Sequence, residues 1–146
     1  MPRSIQSLTL ADARRIIAAG EQKAAELRVP YNIAVVDAGG ELIAHARMDG
    51  AWLGSVSIAI DKAWTARAFD RATDEFSQFA QSGQPAFGIH TTNSSRVVIF
   101  GGGIPIKVDG VVIGAVGASG GSVHDDVIVA RAAVAGFELS FLESCG

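Results

Sequence analysis

The sequence contains a single cysteine, Cys145, and only 7% aromatic residues. One cysteine cannot form an internal disulfide bond, and it cannot supply a cysteine-rich zinc site. Small secreted domains usually depend on such crosslinks, so their absence points away from that class. We therefore expect a protein that works in a reducing compartment, namely the cytoplasm.

The sequence also lacks an excess of positive charge and any long apolar run. Its 12 lysines and arginines are outnumbered by 15 acidic residues, giving a net charge of −3, and they form no basic stripe. Nucleic acid is therefore not an expected partner. Residues 1–10 do not resemble a secretory signal, and glycines interrupt the uncharged stretch at 111–123. These features exclude a spanning helix at 111–123, and no membrane partner is expected.

What the sequence has in abundance is small and apolar residues. Hydrophobic residues make up 49% of the 146 positions, enough to build the core of one domain covering residues 1–146. The 17 glycines cluster at 39–40, 101–103 and 114–121. A chain this apolar exposes more hydrophobic surface than a monomer usually tolerates. We therefore expect a homo-oligomer, a dimer or higher.

Hydrophobic periodicity and turn residues predict an α+β fold. Two β-hairpins imply a mainly antiparallel sheet of five strands, with helices packed on it. The spacing of Thr9 and Asp12 resembles a capping box at the start of the first helix. Helices are predicted at 10–27, 53–69, 73–80 and 123–142, and strands at 32–37, 41–47, 96–100, 104–108 and 111–118.

Two glycine-rich segments are candidate ligand-binding loops. Gly101, Gly102 and Gly103 lie between two strands, where their N–H groups can face an anion or simply form a bend. Ser119 and Gly120 lead from a strand into the last helix. The acidic residues that follow disfavour a phosphate there. The small residues instead suit the close approach of a helix, a second subunit or a flat ligand.

Charged residues near the second strand form another candidate site. His45 and Arg47 are predicted to project from one face, and Asp49 follows at the strand end. An arginine in this position can hold a carboxylate with two hydrogen bonds. The equally weighted alternative is an ion pair between Arg47 and Asp49 within the turn or at an interface.

Lys62 stands out because its helix is otherwise mostly apolar. It could bind a ligand carboxylate or act as an amine with a lowered pKa, so Lys62 and His45 are the candidate catalytic groups. The alternative is a structural lysine that pairs with the neighbouring Asp61 or extends along apolar surface.

The three histidines, His45, His90 and His124, are widely separated and form no metal-binding pattern. Their spacing therefore disfavours a metal held by histidines alone. A heme iron, however, needs only one axial side chain, so each histidine remains a candidate heme-iron ligand.

The order and content of several segments resemble the GlcG/HbpS-like family, which includes the C-terminal domain of PduO-type corrinoid adenosyltransferases. The matching segments span about residues 5 to 140 and are Val35–Gly40, Arg47–Ala51, Lys62–Ala66, Gly101–Ile106 and Ile113–Gly121. The resemblance implies a profilin-like or Roadblock-like layered fold and homo-oligomers. It also implies heme binding in some members and a catabolic setting without a settled activity in others.

The sequence departs from the heme-binding members in its first helix. Some relatives place a heme-ligating histidine there, whereas residues 10–28 contain none. A heme ligand would then have to be His90, His124 or His45, or an oxygen from Thr91–Thr92.

Three functions compete at this point. The favoured hypothesis is an accessory protein that binds heme or another tetrapyrrole, with Arg47 or Lys62 meeting its propionates. The alternative is an enzyme, or an enzyme-associated module, acting on a small carboxylate. There Arg47 and the glycine-loop amides hold the substrate while Lys62 or His45 moves a proton. The third hypothesis is an oligomeric scaffold whose glycines serve packing alone.

Overall fold

The computed structural model describes residues 1–145. Its helices are α1 (Leu10–Leu27), α2 (Gly54–Phe69), α3 (Phe76–Phe79) and α4 (Val123–Cys145), and its strands are β1 (Asn32–Asp37), β2 (Leu42–Arg47), β3 (Gly103–Val108) and β4 (Val111–Ser119). Short 3-10 turns occur at Thr73–Glu75, Ile89–Thr91 and Asn93–Ser95. Within the described residues, no helix is both long enough and apolar enough to cross a membrane.

The fold has three layers, helices–sheet–helix. Every strand pair is antiparallel, and the strand order is β2-β1-β4-β3. Side chains alternate between the two faces, as the period of a strand requires. Ile33 and Val35 face α1 and α4 in the main core, whereas Val36 packs with Ala63 of α2 on the other side. The predicted α+β architecture is confirmed.

The number of strands was predicted wrongly. Across residues 1–145 the sheet has four strands, because residues 96–100 pair with no strand: Arg96 lies in a turn with helical dihedral angles, and Phe100 lies in a bend. Their backbone bonds to a side chain instead. The hydroxyl of Thr65 has Asp61 O at 2.7 Å and Arg96 O at 3.1 Å as acceptors for its one proton, and Thr65 Oγ1 accepts from Val98 N at 3.1 Å. Val97 is buried against α3. These contacts attach residues 96–100 to α2 and α3 rather than to the sheet edge.

The start of α1 agrees with its predicted capping box. Thr9 Oγ1 accepts from Asp12 N at 3.1 Å, and Asp12 Oδ2 accepts from Thr9 N at 2.8 Å. These two bonds satisfy backbone groups that have no partner inside the helix. The helix ends at Arg28, which takes the left-handed conformation just before Pro30.

Glycines in β3 and β4 let α2 lie very close to the sheet. A Cβ added at Gly117 would overlap Ala59 O and lie 2.6 Å from Ala63 N. A Cβ added at Gly103 would overlap Lys62 O. The sequence left open whether a helix, a second subunit or a flat ligand approaches the small residues of β4. At Gly117 the approaching element is helix α2. This close packing places the middle of α2 directly over β3 and β4.

Candidate functional site

A cavity of about 390 Å³ lies between α2 and the segment that precedes β3; we call it the His90 cavity. Its wall is mainly apolar, and its residues are Ile58, Asp61, Gln81, His90, Ser95, Val97, Val98, Ile99 and Phe100. Its volume falls within the range of about 300–1,000 Å³ that is typical of small-molecule sites. Apolar walls with a few polar groups are also typical of such sites.

His90 supplies the most unusual atom of this cavity. It lies in a 3-10 turn, half-buried, with its ring 5.5 Å from the Phe87 ring. Its Nδ1 is buried and has no hydrogen-bond partner among residues 1–145. Buried polar atoms almost always have a partner, and an exception requires an explanation. The ring nitrogen of a neutral imidazole is also a common metal ligand.

The apolar wall is held in place by the side chains of Thr65 in α2 and Gln81, which follows α3. Thr65 binds the backbone at Arg96 and Val98, as described above. Gln81 Nε2 donates to Ile99 O at 2.8 Å, which attaches the wall on its other side. Residues 97–100, which belong to the segment predicted to be a strand, therefore form one side of the cavity.

Asp61, the acidic residue of the cavity, is paired with Arg96. Arg96 Nε lies 3.5 Å from Asp61 Oδ1, and the Arg96 guanidinium lies over the Trp64 ring at 4.4 Å. Both charged side chains remain partly exposed. The sequence offered Asp61 as a partner for its neighbour Lys62, and this pairing was wrong. Successive residues on a helix point in different directions, so Asp61 and Lys62 face different surroundings.

Lys62 lies behind the cavity in a buried polar cluster, the Lys62 centre. Its side chain is fully buried, and Nζ donates to Asp126 Oδ2 at 2.6 Å and to Ala118 O at 3.1 Å. Nζ also lies 5.1 Å from the ring centroid of Phe100, which lines the cavity, whereas Lys62 does not. Burial lowers the pKa of Lys62, and the adjacent Asp126 carboxylate acts in the opposite direction.

Asp126 is the residue that completes this centre. Its second oxygen, Oδ1, accepts from the amides of Gly120 at 3.2 Å and Gly121 at 3.3 Å. The carboxylate thus joins Lys62 of α2 to the turn before α4. Burial and the Asp126 charge raise the pKa of Tyr31 well above its usual range. The sequence indicated Asp126 only as a first-turn residue of α4, and its position 64 residues after Lys62 gave no signal of the pairing.

These contacts favour a structural role for Lys62. With no exposed side-chain atom and two polar partners, its amine is closed to a substrate. Its proposed catalytic role stays a prediction. Ser119 and Gly120, predicted to bind a ligand, are also buried at the end of β4 beside this centre.

The segment Gly101–Gly103 connects the His90 cavity to the Lys62 centre. All three residues are buried. Gly103 N donates to Thr73 Oγ1 at 2.9 Å, and Gly102 O accepts from Ala118 N at 2.8 Å. A Cβ at Gly102 would lie 2.6 Å from Lys62 Nζ, and the φ of +126° also favours glycine there. The bonds and close contacts favour the packing role considered for this segment, and its contact with a ligand stays a prediction.

The predicted group of His45, Arg47 and Asp49 lies at the β2 edge of the sheet and contributes nothing to the His90 cavity. His45 Nε2 is 3.0 Å from Asn32 Oδ1, and Arg47 Nε donates to Ala51 O at 3.0 Å. Asp49 is exposed. Among the described residues, no ion pair joins Arg47 to Asp49. A carboxylate-binding role for Arg47 stays a prediction.

Protonation of His45 should destabilise the fold. Burial, and then the nearby Arg47 charge, lower the pKa of His45 below its ordinary value of 6.5. The unfolded chain therefore takes up this proton first, and His45 contributes a loss of stability as the pH falls below about 6.5. We expect His45→Gln to show a smaller fall in melting temperature than wild type between pH 8 and pH 5.

A suitable control for this measurement is His124→Gln, because His124 is exposed in the first turn of α4. The control should follow the wild-type pH profile. An identical fall for wild type and His45→Gln would contradict the predicted effect.

The remaining metal-ligand candidates lie apart from one another. His124 is exposed, and the hydroxyls of Thr91 and Thr92 donate to Gly88 O at 2.7 Å and Ile89 O at 2.6 Å. In the part of the chain that is described, no group of three or more His, Cys, Asp or Glu side chains is placed to hold a metal ion. Of the three histidines, His90 alone lines the His90 cavity.

A second groove, of about 480 Å³, lies along β3. Its charged lining residues are three acids, Asp70, Glu75 and Glu138, and two cations, Arg71 and Lys107. It contains no histidine and no buried polar atom without a partner among the described residues. We therefore take the His90 cavity as the candidate site.

Comparison with known proteins identifies relatives along nearly the whole chain. A 15.0 kDa protein in the dhaT-dhaS intergenic region of Citrobacter freundii is 42% identical over 132 residues, which cover 90% of this chain and 93% of that protein. The crystal structure of Klebsiella pneumoniae protein ORFY superposes with a TM-score of 0.92 at 41% identity, covering 94% of each chain.

A third similar protein was solved with a ligand. The crystal structure of a PduOC:heme complex has a TM-score of 0.85 and 39% identity, and the match covers 88% of this chain and 94% of that one. The family described as haem degrading protein HbpS-like matches residues 8–135. This chain therefore belongs to the HbpS-like family.

Proposed function

We propose that this protein binds heme in an accessory role and that the His90 cavity is the binding site. The observation that carries the proposal is His90, which lines a mainly apolar cavity and whose buried Nδ1 has no hydrogen-bond partner among the described residues. The heme complex of a protein with the same fold and 39% identity supports the choice of ligand.

The residues of the cavity fit this group chemically. A heme needs one axial side chain for its iron and an apolar environment for its ring. His90 offers an unpaired ring nitrogen, and the residues Ile58, Val97, Val98, Ile99 and Phe100 offer apolar surface. Arg96 does not line the cavity, but it places a positive charge beside Asp61, which does.

The chain's own residues would perform three tasks. His90 would donate a nitrogen lone pair, and the apolar wall would keep water from the ring faces. Thr65 and Gln81 would keep that wall in position through the hydrogen bonds they already make. Bound heme would supply an iron centre able to transfer electrons or bind small molecules.

The test is a titration of the purified protein with hemin, followed by its absorption spectrum. We expect a saturable Soret band for wild type. His90→Ala should weaken hemin binding at least about tenfold, or shift the band, because the ligand nitrogen is lost. A titration with imidazole should partly restore the wild-type spectrum of this variant.

His124→Ala and His45→Ala are the matched controls, since each removes one histidine from outside the His90 cavity. Both should bind hemin like wild type. A His90→Ala protein with an unchanged spectrum and affinity would exclude ligation by His90. If the wild-type protein shows no saturable Soret band in the hemin titration, heme binding itself is refuted.

A further inference from the structure

We propose that Arg96 is the carboxylate-binding residue of the His90 cavity and that it gives the cavity a preference for ligands with free carboxylates. This inference rests on the proposed function. It adds a specificity-determining residue that the sequence did not indicate.

Arg96 is not itself a lining residue, but it lies at the boundary of the cavity. Its two neighbours in the chain, Ser95 and Val97, are both lining residues, and so is its ion-pair partner Asp61. Its side chain is 39% exposed, so it is accessible to a ligand from solution. The hydrogen bonds of Thr65 to the backbone at Arg96 and Val98 hold this part of the chain in place.

The guanidinium is oriented but not saturated with partners. Its Cζ lies 4.4 Å from the Trp64 ring centroid, and its Nε lies 3.5 Å from Asp61 Oδ1. That separation is longer than the 2.7–2.9 Å or so of a strong charge-assisted hydrogen bond. Among residues 1–145, neither terminal nitrogen of Arg96 makes a hydrogen bond. These two nitrogens form the planar fork that binds a carboxylate with two parallel bonds.

The charge at the cavity supports the same assignment. Asp61 is the acidic residue of the lining, and alone it would repel an anionic ligand. Arg96 neutralises this charge through Nε while its two terminal nitrogens remain available. The cation–π contact with Trp64 restrains the guanidinium, which reduces the entropy lost when a carboxylate binds. Asp61 and Trp64 are thus positioning residues for Arg96.

The experiment compares hemin with hemin dimethyl ester, in which both carboxylates are esterified. Wild type should bind hemin roughly tenfold more tightly than the ester, as expected for a charge-assisted pair that is partly exposed. Arg96→Met should bring the ratio of the two dissociation constants close to one by weakening hemin alone. Arg96→Lys should retain part of the preference, since it keeps the charge but loses the fork.

The matched control is Arg71→Met. Arg71 also lies over an aromatic ring, that of Phe79 at 5.5 Å, and is close to a carboxylate, Glu75, but it lies outside the His90 cavity. This variant should keep the wild-type ratio. The wild-type preference should also decrease as sodium chloride is raised, because salt screens exposed charges.

The outcomes separate the two proposals. If both compounds bind saturably and Arg96→Met keeps the wild-type ratio, the role of Arg96 is overturned while heme binding stands. If neither compound binds wild type, heme binding fails and the role of Arg96 fails with it. Circular dichroism and melting temperature of Arg96→Met establish that a changed ratio comes from a folded protein.

Discussion

Replacing Lys62 with methionine should lower the free energy of unfolding by about 3–5 kcal/mol, the usual cost of removing one partner of a buried ion pair. In this variant Asp126 would be buried with its Oδ2 facing no cation. Asp126 is only 3% exposed, and its Oδ2 lies 2.6 Å from Lys62 Nζ in the native protein. Methionine fills a similar volume, so the loss reports the charge rather than a cavity.

Removing both charges should restore much of this stability. In Lys62→Met/Asp126→Asn, the amide oxygen of the new side chain can still accept from the amides of Gly120 and Gly121, which now bond to Asp126 Oδ1. Replacing a buried ion pair with uncharged groups is often nearly neutral. We therefore expect the double variant to be more stable than Lys62→Met, a strong positive coupling in a double-mutant cycle.

Urea unfolding measures these effects, provided that the dependence on denaturant is the same in all variants. Lys23→Met is the control, because Lys23 forms an exposed pair with Glu26 at 3.0 Å. Exposed pairs contribute little, and this variant should stay within about 0.5 kcal/mol of wild type. Additive losses, or a Lys62→Met loss as small as that of Lys23→Met, would contradict the role assigned to the Lys62 centre.

Local sequence signals predicted the elements whose partners are close in the chain. The capping box at Thr9 and the hairpins joining β1 to β2 and β3 to β4 depend on short-range bonds, and the structure contains them. Residues 96–100 show where this reasoning fails. They have the composition of a strand, yet Thr65, more than 30 residues earlier, takes their backbone bonds. Composition indicates an extended chain but does not identify its partner.

The candidate site was predictable only in part, for the same reason. His90 was a candidate because of its residue type alone, and the burial of its Nδ1 results from a loop without periodicity. Lys62 was noticed as a charge in an apolar helix, but its partner Asp126 is distant in the chain. Arg96 carried no signal, because its importance comes from its position beside Trp64 and Asp61.

The glycines of β4 were noticed as a surface suited to close approach, and this leads to the second large effect. Gly117→Ala should destabilise the protein by at least the upper end of the roughly 1–3 kcal/mol that overpacking usually costs. The added Cβ would overlap Ala59 O and lie 2.6 Å from Ala63 N. Both are backbone atoms of α2, so no side-chain rotation can relieve the clash.

Relief of this clash requires α2 to move away from the sheet, and that movement has a functional consequence. Helix α2 carries Ile58 and Asp61 of the His90 cavity as well as Lys62. We therefore expect folded Gly117→Ala to show both a lower unfolding free energy and weaker hemin binding. The control is Gly54→Ala, where an added Cβ meets nothing within 4 Å. Alanine is the better helix former, so this control should be at least as stable as wild type. Equal stability of the two variants would mean that α2 does not need glycine at position 117 to reach the sheet.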